Sequence, residues 1–492
     1  MTDHPALYQI DARDWLWRCR EERGSSCTLD QIPDAHLDRL AQLGFDLVYL
    51  LGVWQTGSAG ENLSRSTADL QPGYRAALPD LSPDDITGSV FAITGYEVHE
   101  QFGGSYSLDI LRNRLRQRGL GLVLDFVPNH TALDHPWVEE HPDYYVTGTA
   151  AQFARNPAGF REVVIHGQSR DESRFLAHGK DGNFPPWTDT LQLNYANPAL
   201  QEAMLGELTR IAKQCDGLRC DMAMLMLPDV FQRTWGLGMQ PFWPFAIHAC
   251  RQVKPDFLLL AEVYWGLEGV LLSQGIDYTY DKTLLDDLAA RRVDDVRQHL
   301  SAPFDYQRRM ARFLENHDEA RAAAVFPPDV HRGAAVITYL SPGMGFFHSG
   351  QLEGARIRPS VQLRRRAVEP PDLELAAFYT RLLAVRRPRP ASLDWRLLSP
   401  VEAWQGNGSF RDFVAFVWHS GDSPSLLVAS NYSDHPSQCY VPMPFAGLAS
   451  KTITLTDGLG SDVYERSGDD LLSRGLYLDV PAWKAHAFRI DF

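Results

Sequence analysis

The sequence predicts an α/β fold: a closed (β/α)₈ TIM barrel, a subdomain inserted after the third strand, and a C-terminal all-β sandwich. Three observations carry this. Apolar strand-like runs alternate with helix-like patterns eight times before about residue 390. From 131 to about 190 that alternation lapses into a stretch rich in Pro, Gly, His and aromatics, too long for a plain connection. After Pro388 short apolar runs alternate with turn residues, as in Phe413-Val414-Ala415-Phe416-Val417 and Ser425-Leu426-Leu427-Val428-Ala429. The expected divisions are 1–130 with 191–390 for the barrel, 131–190 for the insert and 391–492 for the sandwich.

The elements follow in order. Residues 7–17 read as a first strand and its exit loop, followed by a helix at about 33–43 that Gly44 stops. Strand two is Phe45 to Leu51, and 57–95 reads as loop, punctuated by Gly, Ser, Pro and Asp. Leu108, Leu111 and Leu115 give helical spacing to about 105–118. Strand three, Gly121 to Val127, runs into Pro128-Asn129-His130. A helix at about 197–214 precedes strand four, 217–221, and a helical region near 228–252 precedes strand five, Asp256 to Glu262. Strand six falls at 275–280, a helix at 281–300, and strand seven is Met310 to Leu314. A helix at about 330–340, strand eight from Met344 to His348, and a helix at about 372–387 complete the barrel.

Composition narrows the partners. The 492 residues carry a net charge of −15, which argues against nucleic acid and against an anionic membrane surface. No apolar run approaches the length of a membrane span, and Met1 to Pro5 has no signal-peptide character. The six cysteines are scattered without a Cys-x-x-Cys pair, so reduced thiols, a cytoplasmic location and no structural zinc are expected. Trp, Tyr and Phe number 12, 18 and 24, enough to supply flat platforms for sugar rings as well as core. Oligomeric state is left open.

Chemistry gathers just after the strands. Asp125, Asn129 and His130 follow strand three; Arg219 and Asp221 close strand four; Glu262 ends strand five; His317 and Asp318 follow strand seven. In a barrel all of these open on the C-terminal face, where active sites sit. Arg219 and Asp221 alternate onto one face of their strand, as a structural salt bridge or as a charged nucleophile with its partner. Asp318 reads equally as a helix cap. Acids converging on one pocket suit cleavage of a glycosidic bond, one attacking the anomeric carbon and one giving a proton to the leaving oxygen.

These residues resemble the motifs of the α-amylase family, glycoside hydrolase family 13. Asp125-Phe126-Val127-Pro128-Asn129-His130, Gly217-Leu218-Arg219-Cys220-Asp221, Leu260-Ala261-Glu262-Val263 and Phe313-Leu314-Glu315-Asn316-His317-Asp318 match its four motifs in order. Gln192 to Pro198 and Gly350-Gln351 look like two of its supporting segments, with Leu352 in place of the family's Glu. The resemblance implies Asp221 as nucleophile, Glu262 as acid/base and Asp318 as transition-state stabiliser. It implies that Arg219 orients Asp221, that His130 and His317 hold the sugar, and that Asp125 belongs to the same site. Phe91, Tyr96 and Trp265, with Trp54 and Trp187, are platform candidates or core.

The implied substrate is an α-glucan or oligosaccharide, processed with retention through a covalent glycosyl-Asp221. Alternatives are a glucosyl or maltosyl transferase, phosphorylase or isomerase acting on a small disaccharide, or a non-catalytic binding barrel. No cofactor is implied. Family α-amylases often place Lys-His where this chain has Met224 and Leu225, so a hydrophobic acceptor side is implied, or one built by other loops. Asn129 is the one calcium ligand of the family type, and no required calcium is expected. Arg356, Arg358, Arg364, Arg365 and Arg366 read as a solvated loop or as readers of a charged group.

Overall fold

In a computed structural model, residues 4–24, 26–165, 171–387 and 393–492 are described. Eight parallel strands close a barrel: β1 (Ala6–Asp11), β2 (Leu47–Leu51), β3 (Gly121–Phe126), β4 (Gly217–Cys220), β5 (Leu258–Ala261), β6 (Tyr278–Tyr280), β7 (Met310–Arg312) and β8 (Met344–His348). Every residue of β2, β4, β5, β7 and β8 is buried, which explains their unbroken apolar runs: one face meets the helices and the other fills the barrel. Register places Arg219 of β4 opposite Asp125 of β3, and Gln9 of β1 beside Tyr49 of β2 and His348 of β8.

The expected exit loop after β1 is instead a helix, Ala12–Arg23. Asp11 caps it by accepting from the backbone N–H of Arg13 and Asp14, and Gly24 stops it at φ 63. The expected loop at 57–95 contains helices Ser58–Ser66 and Gln71–Ala77; both are short, and Gly57, Gly60, Pro72 and Gly73 hide them. The helices read at 228–252 and 281–300 are each broken in two, as Pro228–Trp235 with Trp243–Val253, and Lys282–Ala289 with Val293–Leu300.

One thiol expectation fails. Cys19, on the inner face of Ala12–Arg23, is disulfide-bonded to Cys27, eight residues on and equally buried. Cys215, Cys220, Cys250 and Cys439 are free and buried. The reasoning from scattered thiols to a reducing compartment therefore does not extend to the first pair. No helix among the described residues is long and apolar enough to cross a membrane.

Between β3 and β4 the chain leaves the barrel. His130–Ala132 pairs antiparallel with Thr190–Gln192, and strands Thr147–Gly148, Phe160–Ile165 and Glu172–Ala177 form a small sheet between them. At the C-terminus a six-stranded and a three-stranded antiparallel sheet enclose a core of their own, which includes Phe413, Leu427 and Phe488. This domain is keyed to the barrel by hydrogen bonds from Trp418 Nε1 to the Leu340 carbonyl and from Tyr432 Oη to the Leu288 carbonyl, both 2.9 Å.

Candidate active site

The C-terminal ends of the strands converge on one guanidinium. Arg219 is wholly buried, and its Nη1 donates to Asp221 Oδ1 at 2.6 Å while its Nη2 donates to Glu262 Oε2 at 2.6 Å. Its Nε donates to Tyr280 Oη at 3.2 Å, and Asp125 Oδ1 stands 3.9 Å from Nη1. The planar fork of arginine is what lets one side chain hold two carboxylates at once. Arg219 therefore holds Asp221 and also ties it to Glu262.

Each acid has a distinct environment. Burial raises both Asp221 and Glu262 above the usual carboxylate range, and the Arg219 cation opposes it in each. Glu262 Oε2 also accepts the Met222 backbone N–H at 2.8 Å, whereas its Oε1 accepts the Tyr264 hydroxyl at 2.9 Å. Asp318 lies at the mouth with its side chain 40% exposed, and its carboxylate is 2.8 Å from His317 Nε2. Burial works to raise Asp318, but the His317 ring outweighs it and holds the carboxyl well below the usual range. Asp318 is not a helix cap: the backbone N–H groups of Asp318 and Glu319 are taken by Asn316 Oδ1.

Asp125, expected to belong to the site, lies buried beneath it and does not line the cleft above the acids. It accepts from the Tyr49 hydroxyl and from the Gly52 backbone N–H at 3.0 Å. Gly52 sits at φ 78, and a Cβ there would lie 2.7 Å from the Val90 side chain, so the turn that aims this N–H requires glycine. Met222, directly after Asp221, and Trp265, three residues after Glu262, are non-glycine residues at φ 42 and φ 66. Left-handed backbone at large side chains is costly, and here it occurs beside both acids.

A cleft of about 1490 Å³ opens over these groups. Asp221, Glu262, Asp318, His130, His317, Phe91, Trp187 and Trp265 all line it. Burial pushes the His130 imidazole down to about 4, against the pull of Asp189, so the ring is neutral at pH 7. Phe91 lies 5.4 Å from the His317 ring and 5.3 Å from the Arg219 guanidinium. Tyr96 and Trp54 are not brought to the cleft. Tyr96 Oη is spent on the Val127 carbonyl and N–H, and Trp54 Nε1 on the Asp125 carbonyl. Their rings meet edge to face, 5.6 Å apart, in the core.

Met224 and Leu225 are buried and do not line the cleft, so the apolar surface beyond the acids comes from Met222 and Trp265 instead. The arginine run divides. Arg356 and Arg358 line the cleft, whereas Arg364 and Arg365 pair with Asp85 and Arg366 pairs with Asp14. Sequence reasoning passed over Tyr264, although a residue two beyond a strand-ending acid stays on the same face. It also passed over Asp189, which lines the cleft near His130.

The donor set around Asn129 does not fit a calcium ion. The buried Gln192 amide nitrogen donates to the Asn129 carbonyl at 2.9 Å, to Asn129 Oδ1 at 3.0 Å and to the Leu193 carbonyl at 3.1 Å. An N–H donor stands where a cation would need only oxygens. Thermal melts in excess chelator and in millimolar calcium are expected to coincide, and a midpoint that falls on chelation would contradict this reading.

Comparison with known proteins gives the family. A family model described as the α-amylase catalytic domain matches residues 28–357. The α-amylase MalA of Haloarcula japonica is 23% identical over 455 residues, covering 90% of this chain and 57% of that protein. An α-1,4-glucan:maltose-1-phosphate maltosyltransferase of Salinibacter ruber is 32% identical over 142 residues, 26% of this chain and 19% of that one. The α-amylase 3 of Dictyoglomus thermophilum is 22% identical over 297 residues, with 53% of each chain covered. The matches thus span little more than half the length of the longer-matching relatives. A crystal structure of the Geobacillus thermoleovorans α-amylase complexed with acarbose aligns at TM-score 0.68 and 18% identity, over 100% of this chain and 99% of that one. That likeness concerns the fold. The matched residues 28–357 make up most of the 492-residue sequence, and the chain belongs to the α-amylase family.

Proposed function

We propose that this protein acts on α-glucosidic bonds of maltooligosaccharides or α-glucans with retention of configuration. The observation that carries the reading is the Arg219 fork, which holds Asp221 and Glu262 together beneath the cleft at 2.6 Å each. In the first step Asp221, through the oxygen that Arg219 leaves free, attacks the anomeric carbon. Glu262 gives its proton to the leaving oxygen, and a glycosyl-Asp221 ester forms. Its Oε2 is occupied by two N–H donors, so Oε1 carries the transferable proton. In the second step Glu262, now ionised, takes a proton from water or a sugar hydroxyl, which displaces Asp221. Asp318, kept charged by His317, faces the positive charge that develops on the ring. His130 and His317 donate to ring hydroxyls, Asp125 buttresses Arg219, and Phe91 supplies the apolar floor.

The cleft exceeds the roughly 300–1,000 Å³ of common small-molecule pockets, which supports an oligosaccharide over a monosaccharide derivative. Its lining has eight carboxylate residues against Lys282, Arg356 and Arg358, which favours a neutral substrate over a phosphorylated one. We place the division between water and sugar as acceptor at Trp265 and Tyr264, on the leaving-group side of Glu262. Incubation with maltoheptaose, with and without glucose or maltose, separates the outcomes by chromatography. Shorter oligosaccharides alone mean hydrolysis, longer ones mean transfer, and no product from maltoheptaose, maltose, sucrose or trehalose would overturn the proposal. The division into 1–130 with 191–390, 131–190 and 391–492 is also proposed. It is supported by the separate barrel, insert and C-terminal sheets, although 130/131 and 190/191 fall within the paired strands His130–Ala132 and Thr190–Gln192 and 390/391 lies outside the described residues.

A further inference from the structure

The stabilising pair has a partner two strands away around the barrel. Gln9, on β1, is wholly buried, and its side-chain Nε2 is 2.8 Å from His317 Nδ1. On the other side of the ring, His317 Nε2 is 2.8 Å from Asp318 Oδ2, a close contact that lies off the hydrogen-bond line. These two contacts constrain the imidazole. A ring nitrogen held against a carboxylate carries hydrogen, so the proton is on Nε2. An amide N–H pointed at Nδ1 needs a lone pair there. Both conditions are met only by the neutral ring with its single proton on Nε2. Among the described residues Gln9 Oε1 has no hydrogen-bond partner, so the residue is not held in the core by its carbonyl.

We propose that Gln9 is a positioning residue that fixes His317 as the neutral Nε2–H tautomer and so keeps its one proton on the cleft side of the ring, beside Asp318, where a sugar hydroxyl can accept it. The proposal rests on the functional reading above for its kinetic consequence but not for its chemistry. A ring protonated on both nitrogens would place a full cation against Asp318 and weaken the negative charge available to a developing oxocarbenium ion. The titratable groups that face the ring are Asp318 on its own loop, Asp125 from β3 and the neutral His348 from β8. None of them contacts Nδ1, so the amide decides what Nδ1 carries.

The test uses protein labelled with ¹⁵N-histidine, with the His317 signals assigned by their loss in His317→Gln. In the wild type, two-bond proton–nitrogen spectra at pH 7 should show His317 with Nε2 protonated and Nδ1 bare. Gln9→Glu, nearly isosteric, offers an acceptor and should give a doubly protonated ring. Gln9→Met, also close in shape, should abolish the single tautomer. In both variants kcat on the wild-type substrate should fall about 10- to 100-fold, the range seen when an outer hydrogen-bond partner of a site histidine is lost. KM should stay within about threefold, because ground-state contacts are untouched. A wild-type ring protonated on Nδ1 overturns the proposal whether or not the variants fold. Folded variants with unchanged spectra and unchanged kcat overturn it as well. If no glucoside is turned over by the wild type, the functional reading fails, while the spectra still decide the role of Gln9.

Discussion

Asp221→Asn is expected to fold normally and to lose at least about 10⁴-fold in kcat/KM, on the scale seen when a nucleophile is removed. That is roughly 5.5 kcal/mol of transition-state stabilisation. The carboxamide keeps the shape and can still accept from Arg219 Nη1 through its oxygen, so the fork is not broken. It removes a carboxyl that burial already disfavours in its charged form, so stability should change little. What it removes outright is the nucleophile. A purely structural Arg219–Asp221 bridge makes the opposite forecast, with a loss of stability and no specific loss of rate. Glu262→Gln separates the two acids. It should cost about 10²- to 10⁴-fold on maltooligosaccharides and far less on an aryl α-glucoside, whose leaving group departs without a proton. Steady-state kinetics with both substrates, alongside thermal melts, read all of this. Full activity of either variant on the wild-type substrate would sink the assignment.

How much of this was legible in the sequence follows from what each feature depends on. Strands β4 and β5 could be read because an apolar run closing on Asp221 or Glu262 is a local pattern with one cheap explanation in a barrel. Arg219 could be paired with Asp221 because alternation puts them on one face. Its grip on Glu262 could not, since that contact joins residues 43 positions apart on neighbouring strands. Tyr96 and Phe91 were indistinguishable as aromatics in a loop. Only the fold sends Tyr96 under the cleft, onto the Val127 backbone, and leaves Phe91 open to it. The arginine run read as a single charged stretch, yet the partners that divide it, Asp85 and Asp14, lie more than 270 residues earlier. Helix Ala12–Arg23 was hidden because its Trp-rich start continues the apolar texture of β1. Gln192 looked like part of a motif, and its amide among three oxygens is visible only when His130–Ala132 and the returning strand Thr190–Gln192 are paired.

Arg219→Met should produce the largest loss of stability of any single change in the site, about 3–5 kcal/mol, because it leaves buried carboxylates without their cation. Met fills most of the volume, so the effect is electrostatic rather than a cavity. Its sign with pH can be worked out. Asp221, Glu262 and Asp125 are raised by burial even with Arg219 present, and Arg219 opposes the rise in each. Without it their folded-state pKa values move further above the unfolded ones. The folded variant then binds more protons than its unfolded chain, so stability is present below the unfolded carboxylate pKa and lost as pH rises through the folded values. Asp318, held low by His317, works in the other direction and favours the wild-type fold above the carboxylate range. The deficit of Arg219→Met should therefore be largest near pH 8 and shrink toward pH 4.5, read from denaturant midpoints. Arg219→Lys keeps one charge but loses the fork, so it can reach Asp221 or Glu262 and not both. It should recover part of the stability while the acidic limb of its kcat/KM profile moves to higher pH, because a less stabilised Asp221 ionises later. A stability deficit that does not depend on pH would show that Arg219 contributes packing alone, and an unmoved acidic limb in the lysine variant would separate the guanidinium from the ionisation of the nucleophile.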